Sequence, residues 1–283
     1  MRQTLPRILP YVGSKWRLAR TIVGLMPPHE VYIEVFGGSA AVLFHKPRSR
    51  MEVYNDINGD VVNFFRVLRD SPEELARAVA LTPWARAEYY EAQAALGKVD
   101  SPVERARRLL VVHWMSHNPS AVVWRTGFRA DRPDRLRRWV KLPGSLLTVA
   151  SRLRGVIIEQ MDFESIIEKY DSQSTFFYCD PPYLCSTRHE NTKYASDMPD
   201  DDHARLADAL ASIRGTAIVS GYPTEEYRRL YEERGWGVVD VRVTNMMMNE
   251  KTERLWLHPR IRRAVQMSLP GLDGGNDGEE KTA

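Results

Sequence analysis

Apolar residues along this chain fall into two kinds of run. Short β-branched and aromatic runs occupy residues 31–36, 51–54, 156–158, 175–178 and 216–219, the pattern of buried strands ending in tight turns. Residues 236–243 and 255–257 complete an expected sheet of about seven strands. Between these runs, residues 16–26, 60–68, 203–213 and 225–234 place apolar side chains at helical spacing. Strand–helix alternation of this kind predicts an α/β fold, a doubly wound and mostly parallel sheet.

Residues 72–154 interrupt the alternation. Residues 73–96 and 102–115 read as amphipathic helices, and a Trp- and Arg-rich irregular stretch follows, with no strand in it. The expected division is a core from residues 1–70 and 155–266, a mainly helical insert over 71–154, and a tail over 267–283. The tail is rich in Gly, Asp and Glu with almost nothing to bury, so it is expected to be disordered. No internal repeat is present.

Composition narrows the class without deciding it. At 43% hydrophobic and 27% charged residues the chain can bury an ordinary globular core. No stretch approaches the roughly 18–20 apolar residues of a membrane span. The start, Met1-Arg2-Gln3-Thr4-Leu5-Pro6, lacks the apolar run of a secretory signal. Cys179 and Cys185 fit neither a disulfide framework nor a zinc-ligand spacing. The expectation is a cytoplasmic protein without membrane or metal partners.

Charge is more informative once located. The net charge is only +3, but between residues 101 and 155 twelve cations face three acids, a local +9 that leaves −6 for the rest. Trp114, Trp124, Phe128 and Trp139 lie among these cations. A basic, aromatic-studded window in an otherwise acidic chain points to a polyanion, and nucleic acid is the expected partner. The competing reading is a solvated helical face whose arginines pair with Glu104, Asp131 and Asp134.

Two motifs carry candidate chemistry. Asp180-Pro181-Pro182-Tyr183 follows the strand at 175–178, at the strand end where open α/β sheets bind ligands. Its two prolines fix φ and remove two backbone donors. The turn therefore offers a carboxylate, carbonyl acceptors and an aromatic ring, a set suited to the exocyclic amine of a planar base; a rigid Pro-Pro turn capped by aspartate would look the same. Glu34-Val35-Phe36-Gly37-Gly38-Ser39-Ala40 ends the first strand in glycines, which let a cofactor approach the backbone. It is not the Gly-x-Gly-x-x-Gly of pyrophosphate binders and fits a nucleoside cofactor without a diphosphate. Asp56, about twenty residues on, stands where an acid binds ribose hydroxyls, or where an Asx turn would cap the next helix.

Taken together these elements resemble the Dam-type DNA adenine-N6 methyltransferases, which use S-adenosylmethionine. Tyr11-Val12-Gly13-Ser14-Lys15 is similar to that family's amino-terminal cofactor motif, with Tyr11 at its aromatic position and Lys15 at its lysine. The segment at residues 34–40 resembles its glycine motif, Asn55-Asp56-Ile57-Asn58 its ribose acid, and Asp162-Phe163 the pair flanking the cofactor's adenine. Asp180 to Tyr183 resembles its catalytic motif in the adenine form, while Ser220-Gly221-Tyr222 and Glu253-Arg254-Leu255-Trp256 are similar to later strand motifs.

The resemblance implies a Rossmann-like methyltransferase sheet, with Tyr11, Lys15, Glu34, Phe36, Gly37, Gly38, Ser39, Asp56, Asp162, Phe163 and Asp180 around S-adenosylmethionine. It implies that Asp180 and the Pro181 carbonyl hold the N6 amine of a flipped-out adenine, with Pro182 shaping the turn and the Tyr183 ring stacking on the base. It places a target-recognition domain in the basic insert, with Arg125, Arg129, Arg135, Arg137 and Arg138 as the arginines expected on double-stranded DNA. The stretch from His117 to Arg129 only thinly matches the hairpin of members that read the commonest tetranucleotide site, so no target sequence is implied. A cognate restriction endonuclease and a monomeric or weakly dimeric state complete the expectations. The alternatives are methylation of cytosine N4, RNA adenine or protein glutamine on the same fold, or an inactive DNA-binding relative.

Overall fold

The structure is a computed structural model and describes residues 5–117, 127–131, 133–184, 198–244 and 250–261. Seven strands form one sheet: β1 (Val31–Glu34), β2 (Met51–Asn55), β3 (Val156–Glu159), β4 (Thr175–Cys179), β5 (Thr216–Gly221), β6 (Gly237–Thr244) and β7 (Glu250–Leu257), in the order β3-β2-β1-β4-β5-β7-β6. The first five run parallel, and β7 lies antiparallel between β5 and β6. The strand order reverses between β1 and β4, so the chain crosses from one half of the sheet to the other there and leaves a crevice at the strands' carboxyl ends. The expected mostly parallel seven-stranded sheet is what forms.

The helices are α1 (Ala19–Gly24), α2 (Ala41–His45), α3 (Gly59–Asp70), α4 (Pro72–Ala80), α5 (Arg86–Ala94), α6 (Pro102–Met115), α7 (Pro133–Leu153), α8 (Phe163–Tyr170), α9 (Asp200–Ser212) and the short α10 (Glu225–Tyr227). Alternation along each strand sends side chains to two cores. Tyr32, Tyr54, Phe176 and Tyr178 pack under α2 to α7, while Val31, Ile33, Val53, Phe177 and Cys179 pack under α8, α9 and α10. The apolar faces of α4 to α7 belong to the same continuous cluster as that first face of the sheet.

Three helical expectations change. The single helix expected over 73–96 is two, α4 and α5, because Pro83 lacks an amide donor and disfavours helical φ/ψ at Thr82. The irregular stretch expected up to residue 154 contains α7, a helix of 21 residues that passes through Pro143. Trp139, Leu142, Leu146, Val149, Ala150 and Leu153 keep helical spacing across the proline and are all buried, so packing outweighs one lost hydrogen bond. The helix expected over 225–234 starts as α10 and continues as a π-helical turn, Arg228–Glu232. Arg125, Trp124, Cys185 and the expected tail lie outside the described residues.

The carboxyl end of α7 is bolted to the sheet by charge. Arg152 donates to both oxygens of Glu52 on β2 at 2.6 and 2.8 Å, and Lys46 reaches the same carboxylate at 2.7 Å. Burial opposes the ionised form of Glu52, but the hydrogen bonds from Arg152 and Lys46 win and hold its pKa below the ordinary value. Its stabilisation is therefore present above the unfolded pKa and is lost as pH falls through the folded one. Glu52→Gln leaves two buried cations facing each other, and the expected loss is about 3–5 kcal/mol. Urea unfolding at neutral pH measures it, and a variant as stable as wild type contradicts the assignment.

Candidate functional site

A cleft of about 730 Å³, counting its open mouth, lies at the carboxyl ends of β1, β2 and β4. It is lined by the amino-terminal motif, the glycine turn after β1, Asp56 to Asn58, Tyr178, and Asp180 to Pro182. The sheet therefore brings together Tyr11, Lys15, Glu34, Phe36, Gly37, Gly38, Ser39, Asp56, Asp180, Pro181 and Pro182.

The glycine turn is shaped by its neighbours. A Cβ on Gly37 would sit 2.1 Å from the Tyr54 ring, so no side chain fits there. Gly38 adopts φ +48°, and its amide donates to Asp56 Oδ2 at 2.8 Å while its carbonyl accepts from the Tyr54 hydroxyl at 2.8 Å. Asp56 Oδ1 takes the Asn58 amide at 2.8 Å, so the carboxylate fixes both its own turn and the glycine turn while lining the cleft. Asn58, not Asp56, caps α3, accepting from the Asp60 amide at 2.9 Å. The Ser14 and Ser39 hydroxyls meet at 2.7 Å and join the amino-terminal motif to this turn.

Lys15 is the centre of the site. Its buried ammonium lies 2.7 Å from Asp180 Oδ1, 3.0 Å from Glu253 Oε1 and 2.9 Å from the Gly13 carbonyl. Ser220 on β5 also donates to Asp180 Oδ1, at 2.9 Å, and Ser220 in turn meets the Tyr178 hydroxyl at 3.1 Å. Both contacts use Oδ1; among the described residues no hydrogen bond reaches Oδ2. Burial raises the pKa of Asp180, Lys15 lowers it, and Glu253 raises it, with a net upward shift.

Several residues sit differently from expectation. The Tyr183 ring is only 6% exposed, lies outside the cleft lining, carries the Lys15 ammonium 4.9 Å from its centroid, and meets Tyr222 edge-on at 4.7 Å. Its hydroxyl donates to Glu253, a partner that a purely stacking ring would not need. Asp162 caps α8 through the Glu164 amide at 3.0 Å and lies 3.5 Å from Arg205. Phe163 is buried against Phe36 at 6.0 Å, and neither residue of the pair lines the cleft. Glu253, Ser220 and Tyr222 were visible only as members of strand motifs; nothing in their local sequence says that β7 folds back beside β5.

The basic window divides. Arg105 pairs with Asp60, Arg107 with Glu88 and Glu104, Arg108 with Glu104, and Arg152 with Glu52. Arg135 donates to the Trp114 and Ser116 carbonyls, both at 3.0 Å, and so closes the carboxyl end of α6. Arg129 stands 3.8 Å from Asp131 and 3.4 Å from a His117 ring nitrogen. Arg137 and Arg138 are exposed on α7, Arg137 with Asp134 at 3.7 Å. The amino-terminal segment is also basic: residues 1–29 hold five cations and no acid, and of these Arg7, Arg17 and Arg20 are exposed while Lys15 is buried in the site. Burial, then the positive charges of Arg138 and Arg17, hold Arg7 below its ordinary pKa.

The profile of the D12 class of N6 adenine-specific DNA methyltransferases matches residues 11–245, more than half of the chain. The chain belongs to this family. This D12 methyltransferase is 26% identical to the type II methyltransferase M.MjaIII of Methanocaldococcus jannaschii, over 87% of this chain and 93% of that one. It is 26% identical to a DNA adenine methylase of Vibrio cholerae, over 82% and 86% of the two chains. It is 28% identical to the type II methyltransferase M1.LlaDCHI of Lactococcus lactis, over 74% and 77%. As a D12 enzyme it methylates adenine N6 in DNA, and the family is S-adenosylmethionine-dependent. No helix among the described residues is long and apolar enough to cross a membrane, and none of their side-chain clusters could hold a metal.

Glu34 gives this D12 site a pH signature. It is buried, accepting from the Tyr32 hydroxyl at 2.9 Å and the Leu43 amide at 2.8 Å, and burial pushes its pKa from 4.5 to about 8. Folded, it binds more protons than unfolded between those values, so its stabilisation is complete below the unfolded pKa and is lost as pH rises through the folded one. The thermal midpoint of wild type should fall relative to that of Glu34→Gln between about pH 5 and about pH 9. A gap that stays constant over that range contradicts the assignment.

Proposed function

We propose that the cleft binds one S-adenosylmethionine and that the carboxylate of Asp180 holds the N6 amine of a flipped-out adenine. The observation that carries this reading is the asymmetric Asp180 carboxylate, one oxygen committed to Lys15 and Ser220 and the other left to an incoming donor. The donor set of the cleft suits the cofactor. Among the described lining residues Lys15 is the single cation, committed to two carboxylates, against the acids Asp56 and Asp180, while Glu34 with its pKa of about 8 is mostly neutral at neutral pH. Such a lining disfavours phosphate and favours a ligand with a sulfonium and an ammonium. Asp56 takes the ribose hydroxyls, and Tyr11 and Phe36 supply aromatic surface. The cofactor, when bound, supplies an electrophilic methyl group.

The protein's part is positioning and electrostatics. A base inside a duplex cannot reach the cleft, so the adenine leaves the stack. Asp180 Oδ2 accepts one N6 proton and the Pro181 carbonyl the other, which draws the nitrogen toward tetrahedral geometry and frees its lone pair for attack. Positive charge then appears on N6 beside a carboxylate. The spare proton becomes acidic only after transfer and leaves through Asp180 Oδ2 to solvent, so Asp180 need not be a strong base. Pro182 holds the turn rigid, and Tyr183 with Tyr222 forms the aromatic wall against the base. Asp162 and Phe163 close the cofactor end from behind Phe36.

The helical segment 71–154 supplies the DNA-reading surface in this proposal, together with the amino-terminal arginines. Arg137 and Arg138 serve on the phosphates with Arg7 and Arg17, Arg125 and Arg129 belong to the reading tip, and Arg135 shapes the tip from beneath. Phosphate contacts position the enzyme and base contacts specify the site. The type II names of two relatives fit a role beside a restriction endonuclease.

Single-residue variants test this. Asp180→Ala should abolish methyl transfer while leaving cofactor and DNA affinity within a few-fold, and Asp56→Ala should weaken cofactor binding in calorimetry; the reverse pattern refutes the assignments. Arg137→Ala and Arg138→Ala should each flatten the log–log salt dependence of DNA binding by up to about 0.9. Arg105→Ala and Arg107→Ala should lower thermal stability instead. Unchanged salt slopes in both α7 variants would remove that helix from the interface.

A further inference from the structure

We propose that Glu253 is a positioning residue for methyl transfer: it gives Lys15 a second carboxylate, so that Asp180 keeps an oxygen and its charge for the amine, and it anchors Tyr183. The inference rests on the adenine-methylating role given to Asp180 above. Glu253 stands on β7, opposite Val241 of β6 and far along the chain from the catalytic turn. It is nonetheless buried, 7% exposed, and its Oε1 receives both the Lys15 ammonium and the Tyr183 hydroxyl.

Two carboxylates share one cation here. A lone Lys15–Asp180 pair in so buried a place would be a closed, neutral unit, with the aspartate's charge spent on the lysine. With Glu253 present the trio carries net negative charge, which complements the positive charge that arrives on N6. When the amine engages Asp180, the ammonium still has Glu253 and the Gly13 carbonyl, 3.0 and 2.9 Å away. No buried cation is then left unpaired.

Among the described residues the other groups facing the trio include Tyr183 from the catalytic turn, Tyr222 and Ser220 from β5 and its end, Tyr178 and Cys179 from β4 and Glu34 from β1. Asp180 and Glu253 each raise the pKa of Tyr178 and of Tyr222, in both cases behind burial as the largest cause. The phenols accordingly stay neutral as pH falls. Burial is the largest cause of the raised pKa of Asp180, Lys15 opposes it and Glu253 adds to it, so removing the Glu253 charge lowers that pKa.

The experiment follows methyl transfer by the full chain from tritium-labelled S-adenosylmethionine to unmethylated genomic DNA across pH, for wild type, Glu253→Gln and Tyr183→Phe. Glu253→Gln is expected to lower kcat on the order of tenfold with both KM values within about twofold, and to move the acid limb of kcat to lower pH. Tyr183→Phe, which removes only the hydroxyl donor, is expected to lower kcat with the acid limb in place, and it serves if the glutamine variant does not fold. Wild-type kcat in either variant, or an equal loss at every pH in Glu253→Gln, overturns the proposal. A wild-type chain that methylates no adenine overturns the reading of Asp180 on which it rests. An active wild type with an unmoved limb in Glu253→Gln overturns the role of Glu253 alone.

Discussion

The site depends on where one ammonium is allowed to be. Lys15 is 5% exposed, and oxygens of Asp180, Glu253 and Gly13 compensate its charge in that position. Those oxygens come from the amino-terminal motif, the catalytic turn after β4, and β7, three segments far apart in the sequence. The amino-terminal segment is itself held from behind: the Trp114 indole donates to the Ile8 carbonyl at 2.9 Å, and a His113 ring nitrogen lies 2.8 Å from the Pro10 carbonyl. His113 also stacks on Tyr11 at 5.7 Å, and burial pushes its pKa down to about 4, so it stays a neutral ring at neutral pH. Helix α6 thus supports one wall of the cleft while its far end leads to the residues given to DNA reading.

Much of the basic window is mortar. The arginines of α6 and the last turn of α7 satisfy acids on α3, α5 and β2, and these pairs fasten the helices to one another and to the sheet. The outward charge is smaller than the window's total suggests. It gains from Arg7, Arg17 and Arg20 of the acid-free amino-terminal segment, all exposed. Net charge counted along a sequence cannot separate a cation facing solvent from one facing a buried carboxylate, because the partners Asp60, Glu88 and Glu52 lie outside the window.

Legibility followed the range of the forces involved. Strand runs, the helix at 102–115 and the Asp180 turn were readable because alternation, helical spacing and proline are local. The seam at Pro83 was as local, yet a continuous apolar spacing hid it; α7 was missed for the opposite reason, since Pro143-Gly144 reads as a break and only tertiary packing overrides it. The cleft residues from Tyr11 to Asp56 were legible through the motif resemblance. Glu253 and Ser220 were not recognisable as site residues, because their roles exist only once β7 folds antiparallel against β5.

The most direct measurement is a crystal structure of the chain with S-adenosylhomocysteine and a DNA duplex containing its methylation site. The account predicts a flipped adenine whose N6 lies about 2.6–3.2 Å from Asp180 Oδ2, with Lys15 still between Oδ1 and Glu253. An adenine N6 held by another group, or an Asp180 turned wholly onto Lys15 with both oxygens, would contradict it.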